Sequence, residues 1–173
     1  MSGRDNALRV PIITVRAEIM LQGGTVRTSE LFVAEHQAHD FRRQLVTDLL
    51  ESATAFVPLR ACEGPGEVPG QVELLNKEAM VWLRVPLTAG EPPVEEKSDP
   101  ASPDVELFDE MHAVRVDLLS TDALAGNILY SPTAMGHGRV VDYLNDPGRL
   151  FRLWTGEHLY LVNKRFVVRV VEV

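Results

Sequence analysis

Two stretches of this chain carry the same order of segments, and any fold it adopts must accommodate both. Val46 to Val85 runs VTDLLE, then FVPL, then VELLNKEAMVWLRV; Val140 to Val173 runs VVDYLN, then FRLW, then HLYLVNKRFVVRVVEV. The likeness extends upstream of each. VRAEIML (Val15 to Leu21) answers VRVDLLS (Val114 to Ser120), and SELFV (Ser29 to Val33) answers GNILY (Gly126 to Tyr130). TDLLE answers VDYLN, Phe56 answers Phe151, and LLNK (Leu74 to Lys77) answers LVNK (Leu161 to Lys164). From Phe to Asn the spacing is 20 residues in the first copy and 12 in the second, so the first holds 8 more, in a Gly/Pro loop where insertion costs little. Shared order, residue type and spacing predict a duplicated unit.

Within each copy the hydrophobic period assigns the elements. Val10 to Leu21 is rich in β-branched residues and alternates from Val15 onward, which predicts a half-buried strand. Gln22-Gly23-Gly24-Thr25 breaks it, and Val26 to Val33 returns as the second arm of a hairpin. From Ala34 to Ser52 the period becomes helical, with Phe41, Leu45, Leu49 and Leu50 on one face. Phe56 to Arg60, Val72 to Leu75 and Ala79 to Val85 are the next strands, with Asn76-Lys77-Glu78 as a turn. In the second copy Val114 to Leu119 and Ala125 to Tyr130 precede a short helix, Val140 to Asn145. Leu150 to Thr155, His158 to Val162 and Arg165 to Val173 close the chain, the last two as a hairpin around Asn163-Lys164.

Between the copies lies a stretch of different character. Residues 88–112 hold four prolines, one basic and eight acidic residues, a composition that solvates easily and buries little. They carry most of the formal charge of −8: residues 1–87 have 9 basic and 11 acidic residues, and residues 113–173 have 7 and 6. The expected organisation is a first β unit over 1–87, an acidic linker over 88–112 and a second β unit over 113–173. Val105 to Met111, the linker's only apolar part, is expected to pack against a neighbouring unit. The fold class is mainly β with short helices, as two tandem five-stranded barrel-like units, each with one inserted helix.

The composition also excludes function classes. Lys and Arg are not gathered into a basic footprint, so no nucleic acid is expected. One cysteine, Cys62, allows no internal disulfide and fits a reducing compartment. Its neighbours Arg60, Ala61 and Glu63 offer no His partner that would activate the thiol. No apolar run reaches about 18 residues and the N-terminus has no signal-peptide pattern, so the expected home is cytoplasmic, with no membrane partner.

The second copy is similar to a pattern found in small bacterial β domains of uncharacterised function. There a strand hairpin precedes an R-x-x-D-x-L-N segment, then F-x-x-L, then an N-K pair between two strands. Arg139, Asp142, Leu144, Asn145, Phe151, Asn163 and Lys164 fit it, while the first copy departs, with Glu51 in the place of Asn145. The resemblance implies a compact barrel or sheet of SH3-like or Sm-like layout and carries no catalytic residue across.

The residues that could bear chemistry each have a structural alternative. His36 and His39 share a helical face, but no third ligand stands at a telling distance, so no metal is expected. His137 lies between two glycines with no nucleophile in sight, and no nucleophile motif or P-loop occurs. Asp48 and Asp142 read as helix N-terminal acids favoured by the macrodipole. No cofactor and no enzymatic activity are expected. Trp82, Trp154, Tyr143 and Tyr160 are candidates for an interaction surface, with core filling as the alternative. The expected function is a protein-interaction or scaffold module acting through self-association or a protein partner. The second reading is a small-ligand or nucleotide-binding regulatory domain, with a pocket between the copies near Arg42, Arg43 and Arg139.

Overall fold

The computed structural model describes residues 12–34, 42–63, 70–87, 110–119, 123–130 and 139–173, with the backbone alone for 42–45. Ten strands and two helices follow in order. The first half contains β1 (Ile12–Leu21), β2 (Val26–Ala34), α1 (Arg42–Glu51), β3 (Phe56–Glu63), β4 (Val72–Asn76) and β5 (Met80–Pro86). The second contains β6 (Glu110–Leu118), β7 (Leu124–Tyr130), α2 (Val140–Leu144), β8 (Leu150–Trp154), β9 (His158–Asn163) and β10 (Val167–Glu172). His36, His39 and His137 lie outside the described residues.

All ten strands form one antiparallel sheet in the order β10-β6-β7-β8-β9-β5-β1-β2-β3-β4. The mainly β class with two short helices is therefore as the periodicity indicates. The two separate barrels are not: the halves share a continuous ladder through β9 and β5, and the sheet is open, with β10 and β4 at its ends. The linker boundary moves as well, because Glu110 and Met111 already belong to β6, paired with Tyr130 and Leu129. Each half has the same internal order, β5-β1-β2-β3-β4 in the first and β10-β6-β7-β8-β9 in the second.

The Asn-Lys pairs do not turn hairpins. Neither β4 and β5 nor β9 and β10 are neighbours in the sheet, and among the described residues none other than glycine has positive φ. Instead a single turn of 3-10 helix, Lys77–Ala79 or Lys164–Phe166, carries the chain out of one strand and across to a strand further along the sheet. Asn76 and Asn163 cap these turns from extended backbone, accepting from Glu78 N at 2.9 Å and Arg165 N at 3.1 Å. Asparagine is selected here as a side-chain acceptor and not for a left-handed backbone.

The register corrects two of the pairings read from sequence. Phe56 lies opposite Asn76 and Leu150 opposite Asn163, so Leu150, not Phe151, stands where Phe56 stands. Ala17 faces Ser29 and Val114 faces Gly126, so Ala17 corresponds to Val114, two residues from the sequence match.

Burial follows the sheet order. One core collects Ile19, Leu31, Val46, Leu50, Leu59, Met80 and Leu83, and draws in Leu150, Trp154, Leu159 and Leu161 from the second half. The other collects Val116, Ile128, Phe151, Val162 and Phe166, and draws in Val81 and Trp82 from the first. β5 and β9 are thus covered on both faces, which is why MVWL and LYLV read as unbroken apolar runs.

Candidate functional site

The most distinctive place in the molecule is the seam where β5 pairs with β9. Leu83 lies opposite Leu161 and Val85 opposite Leu159, and just beyond them Leu87 N donates to Glu157 O at 2.8 Å. Asn163, 1% exposed, donates its side-chain amide to Met80 O at 3.0 Å while its Oδ1 holds the 3-10 cap. Trp82 and Tyr160 meet edge to face with centroids 5.4 Å apart. Arg84 spans the seam, donating to Tyr160 Oη at 2.8 Å and to Glu18 Oε2 at 2.6 Å. Burial alone would lower the Arg84 pKa, but the bonds to Tyr160 and Glu18 outweigh it and raise the pKa. At the rim Glu78 takes Arg149 and Arg165, each at 3.1 Å.

Both lysines of the Asn-Lys pairs close a helix C-terminus, a role the sequence reading missed. Lys77, 1% exposed, donates to Leu49 O, Ser52 O and Ser52 Oγ, each at 2.9 Å. Lys164 donates to Asp146 O at 2.7 Å beyond the end of α2. The helix dipole and the last carbonyls suit an ammonium in both places. Burial lowers the pKa of each, aided at Lys77 by the Arg149 charge and opposed at Lys164 by Asp146 and Glu51. A lysine following Asn at the same point of both halves was the available signal.

A cavity of about 350 Å³ lies between the end of α1 and the second half. Glu51, Tyr130, Tyr143, Asp146, Arg152 and Lys164 supply its polar lining, over Leu129, Leu150, Phe151 and Leu161. Tyr130 and Tyr143 are stacked at 5.4 Å, and the Tyr143 hydroxyl accepts from Arg152 N at 3.2 Å. Burial raises the Tyr130 pKa, reinforced by the Glu110, Glu172 and Asp142 carboxylates.

The residues singled out from sequence scatter across these places. Trp82 and Tyr160 come together in the seam, and Trp154 is buried in the first core. Tyr143 alone of the four aromatics lines the cavity. Arg139 is exposed at the N-terminus of α2, makes no side-chain cap and does not line the cavity. Arg42 and Arg43 open α1, and their side chains lie outside the described residues. Asp142 does stand in the first turn of α2, but Asp48 is well down α1, so the macrodipole argument fails for it. The Cys62 thiol donates to Arg60 O at 3.8 Å. Among the described residues no group of three His, Cys, Asp or Glu side chains could hold a metal, and no helix is long and apolar enough to cross a membrane.

The chain matches no protein-family model, no curated protein sequence and no solved structure. A functional reading therefore stands on the geometry alone.

Proposed function

We propose that this protein is a non-enzymatic interaction or scaffold module, cytoplasmic, built from a duplicated β unit and acting through the edges of its sheet. The observation that carries this reading is the contrast between equivalent strands. β5 and β9 are buried against each other, whereas β10 and β4 end the sheet with apolar side chains in solvent: Val72, Leu74, Val168 and Val171 are 57%, 70%, 61% and 39% exposed. An edge strand of this kind is a template for another strand, and proteins normally blunt it unless it is used. The identical strand order of the two halves and the paired Asn-Lys caps support duplication. Molar mass of the full chain by light scattering, together with pull-down, tests the reading. A chain that stays monomeric and captures no partner would sink it.

A second reading, a small-ligand regulatory domain, is favoured by the cavity between Glu51 and Lys164. Its polar lining mixes Glu51 and Asp146 with Arg152 and Lys164, which suits a small polar or zwitterionic ligand better than a nucleotide phosphate. Thermal shift separates the readings, because a ligand at 100 times its Kd adds about 2.7 kcal/mol to stability.

A further inference from the structure

We infer that copies of this chain associate head to tail, β10 of one pairing antiparallel with β4 of the next, in the register of the internal seam. This rests on the scaffold reading and specifies its partner as a second copy. Within the chain, the strand that follows the capped 3-10 turn of one half pairs with the strand that precedes the turn of the other. At the two ends of the sheet the same two kinds of strand stand unpaired among the described residues: β10 follows the turn at Lys164–Phe166, and β4 precedes the turn at Lys77–Ala79.

The backbone of each end strand is set for it. Val173 N donates to Ala113 O, and Ala61 N donates to Gln71 O. By the alternation of an antiparallel ladder, residues 170 and 172 of β10, beyond the bulge at Val167–Arg169, and 72, 74 and 76 of β4, turn their N–H and C=O groups outward. Transferring the seam pairs Leu83 with Leu161 and Val85 with Leu159 places Val170 opposite Leu74 and Glu172 opposite Val72.

Side chains agree with this register at three further points. Asn76 holds its cap with Oδ1 and is exposed, where its counterpart Asn163 is buried with its amide on Met80 O. In the assembly the Asn76 amide donates to Val167 O of the neighbour. The counterparts of Trp82 and Tyr160 are Arg169 and Glu73, so an aromatic contact is replaced by opposite charges, which within each chain are also paired with Asp117 and Arg27. Glu78 and Arg165, paired inside the chain, exchange places at the new seam, where the sign is again complementary. The interface is heterologous, so repetition closes a ring or extends a filament.

Light scattering on the full chain and its variants tests this. Leu74→Pro and Val170→Pro each remove an outward N–H that makes no bond within the sheet, blocking one edge apiece. Wild type is expected to form assemblies of two or more chains, each variant alone a monomer. Mixed, the two give a 1:1 dimer that grows no further, because one retains β10 and the other β4. Persistence of wild-type assembly in either variant, or folded variants that stay monomeric on mixing, overturns the inference while leaving self-association by another surface intact. Because Val170 is half-buried, Asn76→Asp provides a test independent of its folding: it keeps the cap acceptor but turns an oxygen toward Val167 O. Assembly should weaken about tenfold or more with the melting of the separated monomer unchanged; unaltered assembly overturns the register. A wild-type monomer overturns the inference, and only the further absence of any captured partner overturns the scaffold reading with it.

Discussion

The side-chain amide of Asn163 reaches the carbonyl of Met80 at 3.0 Å, fastening the start of β5 to the end of β9 inside a buried seam. The same side chain accepts from Arg165 N, so one residue both caps the 3-10 turn and joins the two halves. Asn163→Ala leaves a buried carbonyl and an N–H without their partner and should cost about 1–3 kcal/mol, read as a lower urea midpoint. Asn76→Ala loses only the exposed cap and should cost about 1 kcal/mol or less in the monomer. Equal losses at the two sites would contradict the difference in their surroundings.

Lys77 and Lys164 permit a second paired comparison. Lys77→Met removes a buried side chain's ammonium from three oxygens at the C-terminal end of α1, and a loss of about 2–3 kcal/mol is expected. Lys164→Met acts on one bond nearer solvent and should cost about 1 kcal/mol or less. Denaturant unfolding of the two variants ranks them, and the reverse ranking would contradict the burial of Lys77.

Gly126 has no room for a side chain. A Cβ there would stand 2.5 Å from Trp154 O and 3.0 Å from Leu153 Cγ, so β7 and β8 must separate to admit it. Gly126→Ala should destabilise by about 1–3 kcal/mol through this overpacking. A variant with unchanged melting temperature would show that the β7–β8 contact is looser than the structure has it.

Ser29, which faces Ala17 in β1, is fully buried, and its hydroxyl has no hydrogen-bond partner among the described residues. Ser29→Ala removes an unsatisfied polar group at little change in volume, so stability should hold or rise by about 1 kcal/mol. Marked destabilisation would mean that the hydroxyl has a partner.

Asp117 gives the pH dependence its sign. Hydrogen bonds from Arg169 and Arg115 hold its carboxyl below the ordinary 3.8. The folded form is therefore favoured fully above the unfolded value, and that contribution disappears as pH falls through the lower folded value. NMR titration of the Asp117 carboxyl checks it, and a midpoint at or above the ordinary value would contradict the paired geometry.

Much of the element pattern was legible because alternation and helical period report local burial directly. The match of SELFV to GNILY agrees with the register: Ile19 lies opposite Leu83 and Val116 opposite Val170. Leu83 and Val170 each stand seven residues beyond their Asn cap, so Ala17 answers Val114, and these face Ser29 and Gly126. The match of VRAEIML to VRVDLLS slipped by two residues, which leaves every side chain on its own face and so leaves the pattern unchanged. The Phe56 to Phe151 match slipped by one, led by a shared aromatic where the buried equivalent of Phe56 is Leu150. What could not be read locally was which strand edges meet. An Asn-Lys pair between two strands has the look of a hairpin, and only the path of the chain shows that the turn carries it to a more distant strand. The four-residue apolar runs of β5 and β9 were the available clue that both of their faces are covered.

The seam also imposes a timetable on the nascent chain. Synthesis delivers β5 long before β9, so the first half must wait with one apolar edge uncovered until its mate emerges. Pairing strands so far apart in sequence is slow relative to closing either half, because the intervening loop entropy is lost before the contact forms. Docking of β9 should therefore be the late step of refolding. Trp82, whose ring meets Tyr160 only after that event, reports it as a final change in fluorescence.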